Sequence, residues 1–427
     1  GSVGAAWEIK KEKFMDSVKW LDMLKFKVSY GVQGNDNILD PNGNDQYYPY
    51  ITQYKPSWSP TAGYSLQMTW KGNEELTWES SHSFNIGFDF AALNNRLSGS
   101  IEYFSRKTSD MLYFKDVPLS SGNVTGFVPT NIGSMTNKGI EVNLEGIVFK
   151  NSDIEVALNA NLTHYKNEIT ELDPSVEEEG IKGGSSILKI GGSIYDAYMR
   201  RYAGVDPKTG KGLYYYKEYE TNADGTPKRD ANGKIIYTGR DLTTDVFSDA
   251  DQYELGTILP DVNGGFGLTA RGYGFSLSAQ FSYQLGGKVY DAQYQALMHT
   301  QNNIGSAWHK DALDAWSPTN QGSDIPRLDG DTQVGQTSVD RFLISSNYLS
   351  VNNVQLGYTF PKKLIAPLTL TSLRLYVSGE NLAVWSKRKG LDPRHSMTVG
   401  GYTSGMGMAT THYSAMRTIT AGLSVTF

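Results

Sequence analysis

The last stretch of the chain, from Arg417 to Phe427, alternates without a break. Ile419, Ala421, Leu423, Val425 and Phe427 fall on one side, and Thr418, Thr420, Ser424 and Thr426 on the other. A period of two marks a strand with one apolar and one wet face. The pattern recurs along nearly the whole chain, in segments long enough to cross a bilayer. A barrel strand needs about 9–11 residues to do so, whereas strands of soluble domains mostly run to about 5–6.

Ten more segments precede it: Val3–Ile9, Lys25–Gln33, Ser83–Leu93, Leu97–Lys107, Lys138–Ile147, Asp153–Tyr165, Asn263–Arg271, Phe275–Gln284, Tyr348–Phe360 and Leu373–Leu382. In the third, Phe84, Ile86, Phe88 and Phe90 oppose Asn85 and Asp89. In Asp153–Tyr165, Ile154, Val156, Leu158, Ala160 and Leu162 oppose Glu155, Asn159, Asn161 and Thr163. The connections alternate strictly in length. Asn94-Asn95, Phe149–Ser152, Gly272–Gly274 and Pro361–Thr371 are short; Gly34–His82, Thr108–Asn137, Lys166–Val262, Leu285–Asn347 and Ala383–Met416 are long. Short periplasmic turns and long external loops are the habit of outer-membrane barrels. Lys10–Leu24 falls on the short side, and its Phe14, Val18 and Leu21 at helical spacing suggest a helix. Within Lys166–Val262, Leu213–Tyr219 and Lys234–Tyr237 read as strands of small hairpins.

Composition agrees with an all-β transmembrane antiparallel barrel. Hydrophobic residues are only 39%, low for a soluble core in 427 residues, and 27 Tyr outnumber 16 Phe. Tyrosine suits a boundary wet on one side and oily on the other. No run approaches 18 apolar residues, so no helix crosses a membrane, but half-apolar barrel strands escape that test. The absence of Cys removes disulfides, thiol catalysis and thiolate metal sites. A net charge of −6 argues against a nucleic-acid surface. Eleven open strands leave two unpaired edges, which lipid forbids; the missing strands are expected from upstream sequence or from another chain.

Several segments resemble the SusC/RagA family of TonB-dependent outer-membrane transporters of Bacteroidetes. Asn131-Ile-Gly-Ser-Met-Thr-Asn-Lys-Gly-Ile-Glu141 is close to a family signature, as are Trp78-Glu79 with Phe84-Asn-Ile-Gly-Phe-Asp89, and Arg106-Lys-Thr-Ser-Asp-Met-Leu112. Asn347 to Pro361, Gly379-Glu-Asn-Leu382 and Gly390-Leu-Asp-Pro393 match the C-terminal strands, and Trp316 to Asn320 with Ile325 to Leu328 the loop before them. The resemblance implies a plugged barrel of 22 strands, of which residues 1–427 are the C-terminal part; the plug domain, the motif that contacts TonB and the first strands are absent from this sequence. It also implies a SusD-like surface lipoprotein as partner, TonB as the source of energy through the missing plug, and a glycan or peptide as cargo.

No enzyme signature stands up, and no cofactor is implied. Gly265-Phe-Gly-Leu-Thr-Ala270 has the loose dinucleotide spacing but lies inside a strand with no helix after it. The six His are scattered, with no zinc pair. Asp40-Pro-Asn-Gly-Asn-Asp45 has calcium-like oxygen spacing without the distal Glu, and reads as a turn. Glu102, Glu141, Glu145, Glu155 and Glu380 are read as solvating a wet lumen. Tyr47, Tyr48, Tyr50, Tyr54 and Trp58 cluster in the first long loop and are the candidate substrate-binding residues, because flat rings stack on sugar faces or pack on a partner lid; packing of the loop itself and a place in the interfacial girdle are the alternatives. Tyr214, Tyr215, Tyr216 and Tyr219 form a second cluster, and Trp308 and Trp316, in another loop, are assigned to core packing. The expected function is active import of a bulky nutrient across the outer membrane, in contact with outer-membrane lipid. The rivals are a passive porin or structural surface barrel, and a soluble carbohydrate-binding β-protein.

Overall fold

The computed structural model describes residues 1–38, 45–61, 63–118, 120, 126–231, 233–298, 307–328, 339–395 and 414–427. Eleven strands form one antiparallel sheet in which each pairs only with its sequence neighbours in the set. They are β1 (Ser2–Glu8), β2 (Leu21–Asn35), β3 (Glu79–Ala92), β4 (Leu97–Ser109), β5 (Gly133–Lys150), β6 (Ile154–Leu172), β7 (Val262–Gly272), β8 (Phe275–Leu285), β9 (Tyr348–Thr359), β10 (Ser372–Ser386) and β11 (Thr418–Thr426). Every strand read from the alternation is present.

The register lines up the apolar sides across the whole sheet. Phe26 faces Phe88, which faces Ile101, which faces Val142 and then Leu162. Leu158, Leu268, Ala279, Val354 and Gly379 continue a second row, and Ile419 ends it. Many of these side chains are open to the surroundings, among them Phe88, Ile101, Leu144, Leu158, Phe266 and Leu356. Such a band in water would be an aggregation surface; in a bilayer it is the lipid-facing wall.

The connections on the short side are built tightly. The β7–β8 turn has only Tyr273 and Gly274, with φ of 52° and 86°, as a type I′ hairpin requires. A side chain at Gly274 would also lie 2.7 Å from the Thr359 carbonyl oxygen. The helix suggested by Phe14, Val18 and Leu21 does not form. That segment makes two single 3₁₀ turns, Ile9–Lys11 and Lys13–Met15, and Leu21 already belongs to β2. Pairing with β3 outcompetes the helical spacing, since Leu21 lies opposite Ala92.

On the long-loop side the strands overrun their expected ends. β5 has 18 residues and β6 has 19, more than a bilayer needs. The reason is packing above the membrane: Ile169 and Leu172, past the expected end at Tyr165, are buried, and the Ile169 N–H donates to Gly192 O. The apolar core of the molecule lies in this external mass. Ala197, Met199, Ile258, Tyr290, Met298, Ala312, Ile325 and Phe342 form one cluster, drawn from the loops after β6 and β8.

Candidate functional site

Two surfaces are placed to meet a solute: the wet face of the wall and the external loops. On the wall, Ser98, Glu145, Asn159, Gly267, Gln280, Asn353, Glu380 and Thr418 are consecutive cross-strand partners. A second row holds Lys27, Gly87, Glu102, Glu141 and Thr163. Glu102 and Glu141 are directly opposite, a like-charge pairing that destabilises a sheet. Lys27 offsets it, with its ammonium 2.9 Å from Glu102 and 3.0 Å from Asp89. Glu155, nearer the short turns, is held by Lys150 at 2.6 Å. All five acidic positions named above therefore share the polar face of the wall, with Glu155 at its short-turn end.

The first long loop contains a hairpin, Gln53–Ser59 with Gly63–Trp70, that the sequence reading passed over. Pro56 hid it, because proline argues against a strand unless it lies at an edge; here it pairs opposite Leu66 in a ribbon of two strands. Tyr54 faces Met68 and Trp58 faces Tyr64, so Tyr54, Pro56, Trp58, Tyr64 and Leu66 share one face. The two aromatics of the candidate set are joined by two residues it omitted, Tyr64 at 85% exposure and Leu66 at 71%. Tyr47, Tyr48 and Tyr50 are exposed in the irregular segment before the hairpin. The segment Asp40 to Asp45 lies outside the described residues except for its last member. Trp70 anchors the ribbon: it is buried, its indole N–H donates to Pro49 O at 3.1 Å, and its ring meets Phe114 and Phe127 edge-on at 5.8 and 5.7 Å. Those two phenylalanines belong to the hairpin Leu112–Asp116 with Phe127–Asn131 in the next long loop.

The second aromatic cluster divides. Gly212–Tyr219 is a strand as expected, but its partner is Tyr237–Thr244 rather than Lys234–Tyr237. Tyr214 turns inward against Ala250, Val339, Tyr202 and Phe247, and burial pushes its phenol up to about 12. Tyr215 turns outward under the Arg201 guanidinium, 4.6 Å from the ring centre. Trp316 packs over Gly210 and donates to Pro207 O; Trp308, also assigned to packing, is exposed instead.

Two arginines of the last long loop tie it down. Arg388 makes two bonds to the buried Asp291 carboxylate, one of 2.9 Å, and lies over Tyr294. Arg394 pairs with Asp392 at 2.7 Å and donates to Ser350 and Asn381 on β9 and β10. Asn381 is left-handed at φ 51° and also donates to Met416 O, so one residue clasps both arms of the loop. Asp291 and Arg388 are 97 residues apart, a pairing no local pattern reveals.

Comparison with known proteins fits this geometry. The family model described as TonB dependent receptor-like, beta-barrel matches residues 1–234, more than half the chain. The chain belongs to the TonB-dependent receptor-like β-barrel family. It is 28% identical to TonB-dependent receptor SusC of Bacteroides thetaiotaomicron over 402 residues, 92% of this chain and 37% of that protein. It is 27% identical to TonB-dependent receptor P3 of Formosa agariphila over 441 residues, 99% of this chain and 41% of that one. Among solved structures, that of the RagAB peptide transporter superposes on the whole chain and 43% of its counterpart, with a TM-score of 0.77 at 28% identity. The chain is thus SusC-like and an outer-membrane protein, and it spans about two fifths of the length of these relatives.

Proposed function

We propose that this chain supplies part of the wall and external loops of an active outer-membrane transporter that imports a bulky nutrient, a glycan or a peptide. It would be the C-terminal part of one receptor barrel, whose plug and first strands lie elsewhere in the full protein. Import would be driven by TonB through that plug, and a SusD-like surface lipoprotein would deliver the cargo. The observation that carries the reading is the pairing of a continuous polar wall with an aromatic ribbon held out at its long-loop end. The wall offers hydrogen-bonding groups along its length, and the ribbon offers rings. The likeness to SusC and to the RagAB peptide transporter supports the cargo class, and the open edges at β1 and β11 support the partial barrel.

The direct test is uptake. A strain lacking the full-length gene should fail to grow on the cognate glycan or peptide, regain growth on complementation, and lose it again when TonB is deleted. A surface lipoprotein should co-purify with the complementing protein. Steady ion conduction by the purified full-length protein in planar bilayers, with uptake indifferent to TonB, would establish a passive porin instead. For substrate contact, Tyr54→Ala and Trp58→Ala should each raise the half-saturating cargo concentration about fivefold, the loss of one ring contact of about 1 kcal/mol. Unchanged uptake in both would move recognition away from the ribbon.

A further inference from the structure

The lipid-facing side of the wall is not uniform. Near the short-turn end of β8 to β11 it opens into an apolar groove of about 490 Å³. Phe275, Tyr358, Leu375 and Leu423 are cross-strand partners in one row. In the next row Leu356 and Val377 rise beside Ala421, whose small side chain lowers the floor. The groove is shallow and spans four strands, with two apolar rows as its floor and sides.

The rim above it carries the complementary headgroup chemistry. The β9–β10 connection covers residues 360–371, far longer than the two residues that join β7 and β8. It holds a single α-turn, Lys362–Ile365, followed by a 3₁₀ turn, Ala366–Leu368. Ile365 is buried while Leu364 and Leu368 are exposed at 65% and 61%, so this short element presents an apolar edge next to two lysines. Lys362 follows the groove residue Tyr358 by four positions, in the connection that leaves β9. Both lysines are exposed, and neither forms an ion pair among the described residues. The other extended connection on this rim behaves differently. There Lys11 pairs with Glu8 at 2.7 Å, and Lys10 donates to the carbonyls of Met15 and Val18.

We propose that this groove and its dibasic rim bind an anionic glycerophospholipid of the periplasmic leaflet, the phosphate on Lys362 and Lys363 and one acyl chain along Tyr358, Leu375 and Ala421. Charge complementarity selects the occupant: an exposed lysine pair with no ion pair among the described residues, beside an apolar groove, favours a negative headgroup over a zwitterionic one. Lysine stems lie along apolar surface while their ammonium groups stay in the headgroup layer. The inference rests on the outer-membrane placement of the barrel and is independent of what the barrel imports.

The test uses the full-length protein in detergent, with phosphatidylglycerol or phosphatidylcholine of the same acyl chains added in equal amounts, and reads the bound lipid by native mass spectrometry. The protein should retain phosphatidylglycerol over phosphatidylcholine. The double variant K362Q/K363Q should lose that preference by about fivefold or more, the pull of at least one lysine at an anionic surface. Ala421→Leu, an apolar change at an exposed position, should reduce retention of both lipids. The double variant K11Q/K13Q, on the same rim but away from the groove, should keep the preference. Equal retention of the two lipids by the unaltered protein, an unchanged preference in K362Q/K363Q, or an equal loss in K11Q/K13Q would each overturn the proposal. A protein adduct, rather than a lipid adduct, from a photo-crosslinker at Val377 would do the same, by assigning the groove to another polypeptide.

Discussion

Single residues decide how firmly the external mass is seated. Asp291 is 2% exposed and has Arg388 as its charged partner. Removing one member of a buried pair leaves the other charge uncompensated, at a cost of about 3 kcal/mol. Arg388→Ala should therefore loosen the last long loop, seen as faster hydrogen exchange in residues 387–395 with the strands unchanged. Asp340 gives a pH signature. Burial raises its pKa above the usual 3.8, only partly opposed by the Tyr202 N–H that donates to it at 2.8 Å. The folded state thus binds more protons than the unfolded chain, and stability falls as pH rises from about 4 through the raised value. Asp340→Asn keeps an acceptor for Tyr202 and removes the ionisation. It should protect residues 200–205 from proteolysis at pH 7.5 relative to the parent, with the advantage fading toward pH 4. Equal protection at both pH values would mean that Asp340 ionises without cost.

At the level of elements, the strands were legible and the loops were not. Asn159 and Leu158 alternate because lipid and water lie on opposite sides of one backbone, and that contrast is written locally in the sequence. Strand ends were less clear, since Ile169 and Leu172 are held by loop residues far away in the chain. The Gln53–Trp70 ribbon was missed because Pro56 breaks the local rule while its edge position tolerates it. Tyr54 and Trp58 were recognised as aromatic loop residues, but Tyr64 and Leu66 join them only through cross-strand register. The arginine clasps at Arg388 and Arg394 depend on contacts between elements and have no local pattern. The alternation makes its own prediction. Leu158→Arg, on the apolar face, should destabilise the folded barrel by about 2 kcal/mol. Asn159→Arg, one residue on, should change it little. Urea titration of the full-length protein in vesicles would check both, and equal losses would contradict the assignment of faces.

The whole molecule is organised by one division: an apolar surface that meets lipid and a polar surface that meets water, with the packed core displaced into the external loops. This explains a low hydrophobic content together with long strands, because the wall needs only one apolar side and the bilayer covers it. It also separates the barrel from a soluble β-protein, in which the exposed row of Phe88, Ile101, Leu158 and Phe266 would face solvent. These 427 residues have no cysteine, so a single thiol introduced among them is labelled alone once any cysteine in the rest of the full-length protein is replaced. The most direct measurement is a spin-label scan of β6 and β7 in the full-length protein reconstituted in vesicles, recording collision with oxygen and with a water-soluble nickel chelate. Oxygen should dominate at Leu158, Ala160 and Leu268, and the nickel chelate at Asn159, Asn161 and Thr269, alternating residue by residue. Uniform access of the nickel chelate to both sets would contradict the membrane wall on which the rest depends.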